Sequence, residues 1–170
     1  MIRINDPHSI NLIARAALVQ FVPTHNHCIA EYNSTDRLIG GILFTDWNQG
    51  SVLMHFALFH PIGGSCRELL WLGFQYPFNQ LGVKKVFGLV PEWNEAARKL
   101  DLHLGFKIEY LISDVFNNPE PMLNGMYLMS IRREDCKWLK MKPPEIHFAP
   151  PGATNQIFVP LKDQPGITIH

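Results

Sequence analysis

Apolar residues along this chain recur with two spacings, every second position and every third or fourth, and the changes between them mark out elements. Ile2 to Asn5 suits a short strand. Asp6-Pro7-His8-Ser9 carries the residues of a helix start. Ile10, Ile13, Ala14, Ala17 and Phe21 then fall on one helical face until Pro23 stops it. Three strands follow: His27 to Tyr32, Leu38 to Thr45 and Ser51 to Phe59. The clusters Asn33-Ser34-Thr35-Asp36 and Asp46-Trp47-Asn48-Gln49-Gly50 turn the chain between them, so the last two strands form an antiparallel hairpin.

Beyond Gly63 and Gly64, Ser65 to Gln80 reads as a helix with Leu69, Leu70, Gly73, Phe74, Pro77, Phe78 and Leu81 on one side. Pro77 has no N–H and presses its ring on the carbonyl of residue 73, so a kink is predicted there, and Gly82 ends the helix. Val83 to Val90 is β-branched enough for a buried strand. Pro91 to Leu104 reads as a further helix, with Ala97, Leu100 and Leu104 inward and Gly105 as its cap. Phe106 to Val115 and Gly125 to Arg132 are two more strands. From Lys142 onward the chain turns proline-rich. We therefore divide it into a domain at 1–141 and an extended tail at 142–170, with one short strand at Gln156 to Pro160. Such a tail would run over the surface, or across to a second subunit of a homodimer.

The order β-α-β-β-β-α-β-α-β-β describes an α/β (α+β) domain. Its strand–helix–strand crossover demands a parallel pair inside an otherwise antiparallel sheet, and places Ser51–Phe59 beside Val83–Val90.

Composition narrows the function. Fifteen basic residues balance fifteen acidic ones, which argues against a broad nucleic-acid surface. No apolar run reaches membrane-spanning length, and Met1 to Asp6 lacks a signal-peptide pattern. Three cysteines without a CxxC pair fit a reducing cytoplasm better than a disulfide framework. His25-Asn26-His27-Cys28 has no second ligand pair at zinc spacing, so no metal site is expected.

Two parallel strands that part at their C-terminal ends would open a cleft in the sheet. A helix starting near Ser65 would aim free N–H groups at it, which suits a phosphate. Gly63 and Gly64 permit close backbone approach there, and Arg67 adds charge. The same stretch has a purely structural use: Ser65-x-x-Glu68 is a capping box, and Glu68 would repel a diphosphate. Cys66 stands where a helix N-terminus could lower its pKa, although no base adjoins it.

Two stretches resemble the GNAT (GCN5-related) N-acetyltransferases, over roughly residues 1 to 135. Asn94-Glu95-Ala96-Ala97, running on to Leu104-Gly105-Phe106, is similar to that family's N-x-x-A … L-G-F helix and strand start. Phe59-His60-Pro61 is similar to its V-x-P at the end of the central strand. The resemblance implies a strongly twisted mixed sheet flanked by helices. It implies transfer of an acetyl or other acyl group from coenzyme A to an amine, on a small molecule, a peptide N-terminus, a lysine or a nucleic-acid base, with acetyl-CoA as cofactor. His55 stands where members often place a catalytic glutamate and would be the base. The backbone at Phe59 would polarise the carbonyl. Gly63, Gly64, Ser65 and Arg67 would hold the diphosphate. Asn94 would touch the cofactor while capping its helix.

The chain departs from the pattern twice. Ile62 to Glu68 is shorter than the family's Arg/Gln-x-x-Gly-x-Gly/Ala loop. Asp101 stands where members often carry the tyrosine that protonates the leaving thiolate, and an ionised Asp cannot do so. Tyr127 is the expected stand-in, with Tyr110 and His103 behind it. Both departures leave a second reading open, a non-catalytic GNAT-fold module that binds a partner.

Overall fold

A computed structural model describes residues 1–22, 26–59, 66–117 and 123–149. Its strands are β1 (Ile2–Ile4), β2 (His27–Tyr32), β3 (Leu38–Thr45), β4 (Ser51–Leu58), β5 (Lys85–Pro91), β6 (Lys107–Ile112) and β7 (Met126–Arg132). Its helices are α1 (Pro7–Ala16), α2 (Arg67–Gln75) and α3 (Glu95–Leu104). One sheet runs β1-β2-β3-β4-β5-β7-β6, antiparallel at every junction except β4–β5. The mixed sheet and its parallel pair are those the sequence demands. The helices divide between the faces. α1 packs its Ile10, Ile13 and Ala14 with Cys28, Ala30, Leu43 and Ala57 on one side. α2 and α3 cover the other, over Ile29, Ile42, Val52, Met54, Val86 and Val90.

Helix α1 begins because the Asp6 carboxylate accepts from the Ser9 N–H at 2.8 Å, with Pro7 in the first turn where a missing donor costs nothing. It ends at Ala16, well short of Pro23. Leu18 takes a left-handed backbone with φ 58°, while the Leu18 and Val19 N–H groups donate back to Arg15 and Ala14 carbonyls. That is a Schellman closure with leucine where glycine is usual, at a strain of roughly 1–2 kcal/mol. Phe21 still packs against the α1 cluster, but from the loop.

The kink expected at Pro77 takes a definite form. After Gln75 the helix widens into a π-helical turn over Tyr76–Gln80, and the Leu81 N–H donates to the Tyr76 carbonyl five residues back. The wider turn accommodates the proline that a regular helix would reject. It also buries Tyr76, Pro77 and Phe78. Helix α2 starts later than the expected Ser65, with Cys66 at its cap position and no side-chain cap bond. Ser65 lies outside the described residues, as does the strand expected at 156–160. Helix α3 starts at Glu95 rather than Pro91, because Asn94 Oδ1 accepts from the Ala97 N–H and Pro91 still belongs to β5. Gly105, at φ 111°, closes it.

Two glycines set how closely the helices sit. A Cβ on Gly41 would stand 2.0 Å from Ile13 Cδ1, so α1 rests directly on β3. On the opposite face a Cβ on Gly73 would stand 2.3 Å from Ile42 Cδ1, which brings α2 down on the same strand. The boundary expected at 141/142 falls in a segment held on the domain. Met141 and Ile146 pack against the core. The Ile2 N–H donates to the His147 carbonyl at 2.6 Å, and the Ala149 N–H to the Ile2 carbonyl at 2.9 Å, a parallel bridge onto the outer edge of β1. No helix among the described residues is long and apolar enough to cross a membrane.

Candidate active site

Strands β4 and β5 pair in parallel at Ser51–Lys85, Val52–Val86 and Leu53–Phe87, and there the pairing stops. β4 stays on β3 as far as Leu58, and β5 stays on β7 as far as Pro91. The two strands therefore part from Met54 and Gly88 onward, and their facing backbone donors and acceptors have no strand partner across the gap. The opening is a cavity of about 530 Å³ that passes through the sheet. One side is walled by the end of α1, Ala16 to Leu18, and the other by Asn94, Ala97, Leu100 and Asp101 of the α3 segment.

Two titratable side chains line this cavity, His55 and Asp101. His55 alternates with Ala57 along β4 and so lies on the α1 face. Its Nε2 is 3.0 Å from Thr45 Oγ1, and that hydroxyl donates to Asp46 Oδ2 at 2.6 Å. Because the threonine proton goes to Asp46, its oxygen accepts from Nε2–H, and Nδ1 keeps the lone pair. Burial holds the imidazole below its ordinary pKa, opposed by the Asp46 charge, so His55 is neutral at pH 7.

Asp101 sits on the α3 face. It is one turn after Ala97 and two turns after Asn94, on the side of α3 that faces β5. Its Oδ2 comes within 3.4 Å of where a Cβ on Gly88 would stand, so the carboxyl lies against the strand there. Burial, with no compensating charge, pushes this carboxyl up to about 7. The expectation of a fully ionised Asp101 is corrected accordingly.

No family model matches the sequence, and no curated protein matches it. Solved structures do match the fold. A chimera of the Vibrio cholerae spermidine N-acetyltransferase SpeG with hSSAT superposes with a TM-score of 0.65 at 17% identity, covering 82% of this chain and 98% of the other. Vibrio cholerae SpeG with manganese ions gives a TM-score of 0.65 at 16% identity, over 82% of this chain and 95% of the other. SpeG in complex with CoA and spermine gives 0.64 at 16% identity, over 82% and 97%. The chain has the GNAT fold.

Within this GNAT fold the expected site residues separate into those at the cleft and those away from it. His55 and Asn94 line it. Asn94 serves as helix cap through Oδ1. Arg67 opens the first turn of α2 and, with Cys66, Leu70 and Leu100, lines an adjoining apolar pocket of about 350 Å³. That pocket shares Phe56, Leu58 and Leu100 with the cleft. Phe59 is elsewhere: its N–H donates to the Ile39 carbonyl at 3.0 Å, and its ring packs with the α1 cluster. Tyr127 is also not among the lining residues, since its hydroxyl accepts from Arg98 Nη1 at 2.9 Å with the guanidinium over its ring. Gly63, Gly64 and Ser65 lie outside the described residues. Cys66 is a packing residue rather than a nucleophile: it is buried, and burial, then the Glu31 carboxylate, pushes its thiol up to about 11.

Sequence reasoning missed Gly88 and Leu18, both of which line the cleft. For Gly88 a signal existed, since an isolated glycine inside an apolar strand marks a close approach. For Leu18 there was none, because nothing in a leucine announces a left-handed backbone.

Proposed function

We propose that this protein is an N-acyltransferase that moves an acetyl or other acyl group from coenzyme A to an amine, by direct attack with both substrates bound. The observation that carries the reading is the parting of β4 and β5 after Leu53 and Phe87, which opens a through-sheet cleft in a GNAT fold. Its residues fit the cofactor. Unpaired backbone groups of residues 54–58 and 88–90 would bond the pantetheine amides, the bare Gly88 leaves it room, and Arg67 with the start of α2 would meet the diphosphate. Bound acyl-CoA supplies an acyl group activated by a thiol leaving group. His55 Nδ1 takes the proton from the incoming amine, and the cleft walls exclude water. SpeG carries spermine as well as CoA, so polyamines head the acceptors to be tried, together with other small amines and peptide amines.

A specific observation favours the alternative, a non-catalytic binding module. The Glu31 carboxyl lies beside the start of α2, where burial and then the charge of Glu68, in the first turn, raise its pKa. Both place acidic groups where a diphosphate would approach.

Thermal unfolding with and without acetyl-CoA separates the two. Ligand at a hundred times its dissociation constant stabilises by about 2.7 kcal/mol. Stabilisation of the parent that disappears in folded Gly88→Val, together with acyl transfer to an amine of a test panel, supports the transferase. Absence of any stabilisation at millimolar acetyl-CoA decides for the module.

A further inference from the structure

The two titratable groups of the cleft stand on opposite faces of the sheet, close to the point where the strands part. His55 follows Met54, and Asp101 lies over Gly88, the first residues beyond the last parallel pair. Their surroundings push them apart in character, one toward the free base and the other toward the neutral acid, which is how acid and base roles are divided within a site. From the geometry we propose that Asp101 is the proton donor to the leaving thiolate, paired across the sheet with His55 as the acceptor of the amine proton.

This deepens the acyl-transfer reading and rests on it. The carboxyl is placed for the work. It opens on the cavity, and no hydrogen bond or ion pair holds it among the described residues. The groups facing it are few. From β5 there is Gly88, which has no side chain. From the residue after Gly105 there is the Phe106 ring. From β4 there are the uncharged Met54, Phe56 and Leu58, while His55 and, from the end of α1, the uncharged Ala16, Ala17 and Leu18 line the cavity from the opposite face. On α3 itself Arg98 turns away to Tyr127, and Lys99 pairs with Glu95. No cation among the lining residues draws the carboxyl into its ionised form.

The proton count closes. The amine nitrogen bonds the acyl carbon, the carbon–sulfur bond breaks, and its electron pair stays on sulfur. Asp101 gives its carboxyl proton to that sulfur, and His55 Nδ1 receives the proton from nitrogen. Water afterwards reprotonates Asp101 and relieves His55. Tyr127, held by Arg98 and outside the cavity lining, is not required.

The test uses Asp101→Asn, which keeps shape and loses the acid, with Asp101→Ser as a second variant if the first fails to fold. Loss of a positioned acid lowers kcat on the order of 100-fold or more. Calorimetric affinity for acetyl-CoA should stay within about threefold, since the carboxyl's task is proton transfer rather than binding. The pH profile is the sharper readout: the parent should lose kcat as pH rises through about 7, while the Asn variant should be slow without that limb. A readout independent of activity is the melting temperature. A carboxyl whose folded pKa is raised costs the parent stability as pH rises from about 4 to about 7, so Asp101→Asn should gain more in Tm at pH 8 than at pH 4. Full kcat with an unchanged alkaline limb in a folded variant overturns the role of Asp101 alone. A parent that neither binds acetyl-CoA nor acylates any amine overturns the transferase reading, and this proposal with it.

Discussion

Nε2 of His55 stands 3.0 Å from Thr45 Oγ1, on the neighbouring strand. Since the Thr45 hydroxyl donates its hydrogen bond to Asp46 Oδ2, its oxygen accepts from Nε2–H and fixes which imidazole nitrogen carries hydrogen. Thr45→Val should therefore leave Nε2–H unpaired and release the tautomer. Stability should fall by about 1–3 kcal/mol, the cost of a buried donor without a partner. Acyl transfer should fall roughly tenfold in kcat with KM for the amine little changed, as expected of a positioning residue. Denaturant titration and steady-state kinetics on one preparation check both. An unchanged kcat would mean that the tautomer does not depend on Thr45.

Asp6 ties the start of α1 to β2. Its Oδ2 accepts from the Ser9 N–H at 2.8 Å and from the Tyr32 hydroxyl at 3.0 Å. Burial alone would raise its pKa, but these bonds, with Arg3 nearby, outweigh it and the carboxyl lies below its usual 3.8. A depressed carboxylate stabilises the fold above its unfolded pKa, and that contribution drains away as pH falls through the lower folded value. Asp6→Asn should cost about 1–2 kcal/mol at pH 7 and less at pH 2–3. Urea midpoints of both proteins across that range measure it. A difference that does not shrink in acid would count against the assignment.

Gly41 and Ile13 form a contact that cannot tolerate a methyl group. Gly41→Ala should destabilise by about 1–3 kcal/mol, because its Cβ meets Ile13 Cδ1 on one side and the Ile29 carbonyl at 3.1 Å on the other. Ile13→Ala removes the first obstacle at the expense of a cavity. Combining the two should cost less than the sum of the single changes, a coupling that a double-mutant cycle reads directly. Strict additivity would show that α1 moves aside as a unit.

Where the hydrophobic period was strong and the ends were marked by turn residues, the sequence could be read to the residue. β2 and β3 follow Ile29, Leu43 and their neighbours, bounded by the Asn33-to-Asp36 and Asp46-to-Gly50 clusters. The parallel pair followed from the crossover rule rather than from any single side chain. Helix ends were less legible. Leu18 stops α1 through a backbone angle its side chain does not advertise, and Pro77 widens α2 into a π turn instead of breaking it. Of the candidate site, the positions of His55 and Asn94 at the cleft were legible from their places on β4 and before α3. The condition of Asp101 was not. Composition assigns an aspartate its charge in water, whereas burial with no compensating charge decides whether that charge survives.

The three pairs that join β4 to β5 are the strand ladder in the spine of a two-leaved book, and one shared apolar core, with Phe74 of α2 against Phe106 and Trp138, backs that ladder. One leaf is β1 to β4 with α1 and α2, and the other is β5, β7 and β6 with α3. Any molecule that bonds to both inner margins closes the book on itself, so its grip depends on how stiffly Ser51 to Leu53 and Lys85 to Phe87 hold. Amide exchange at those six residues is thus the place to watch the two leaves swing and then fall still as a ligand enters.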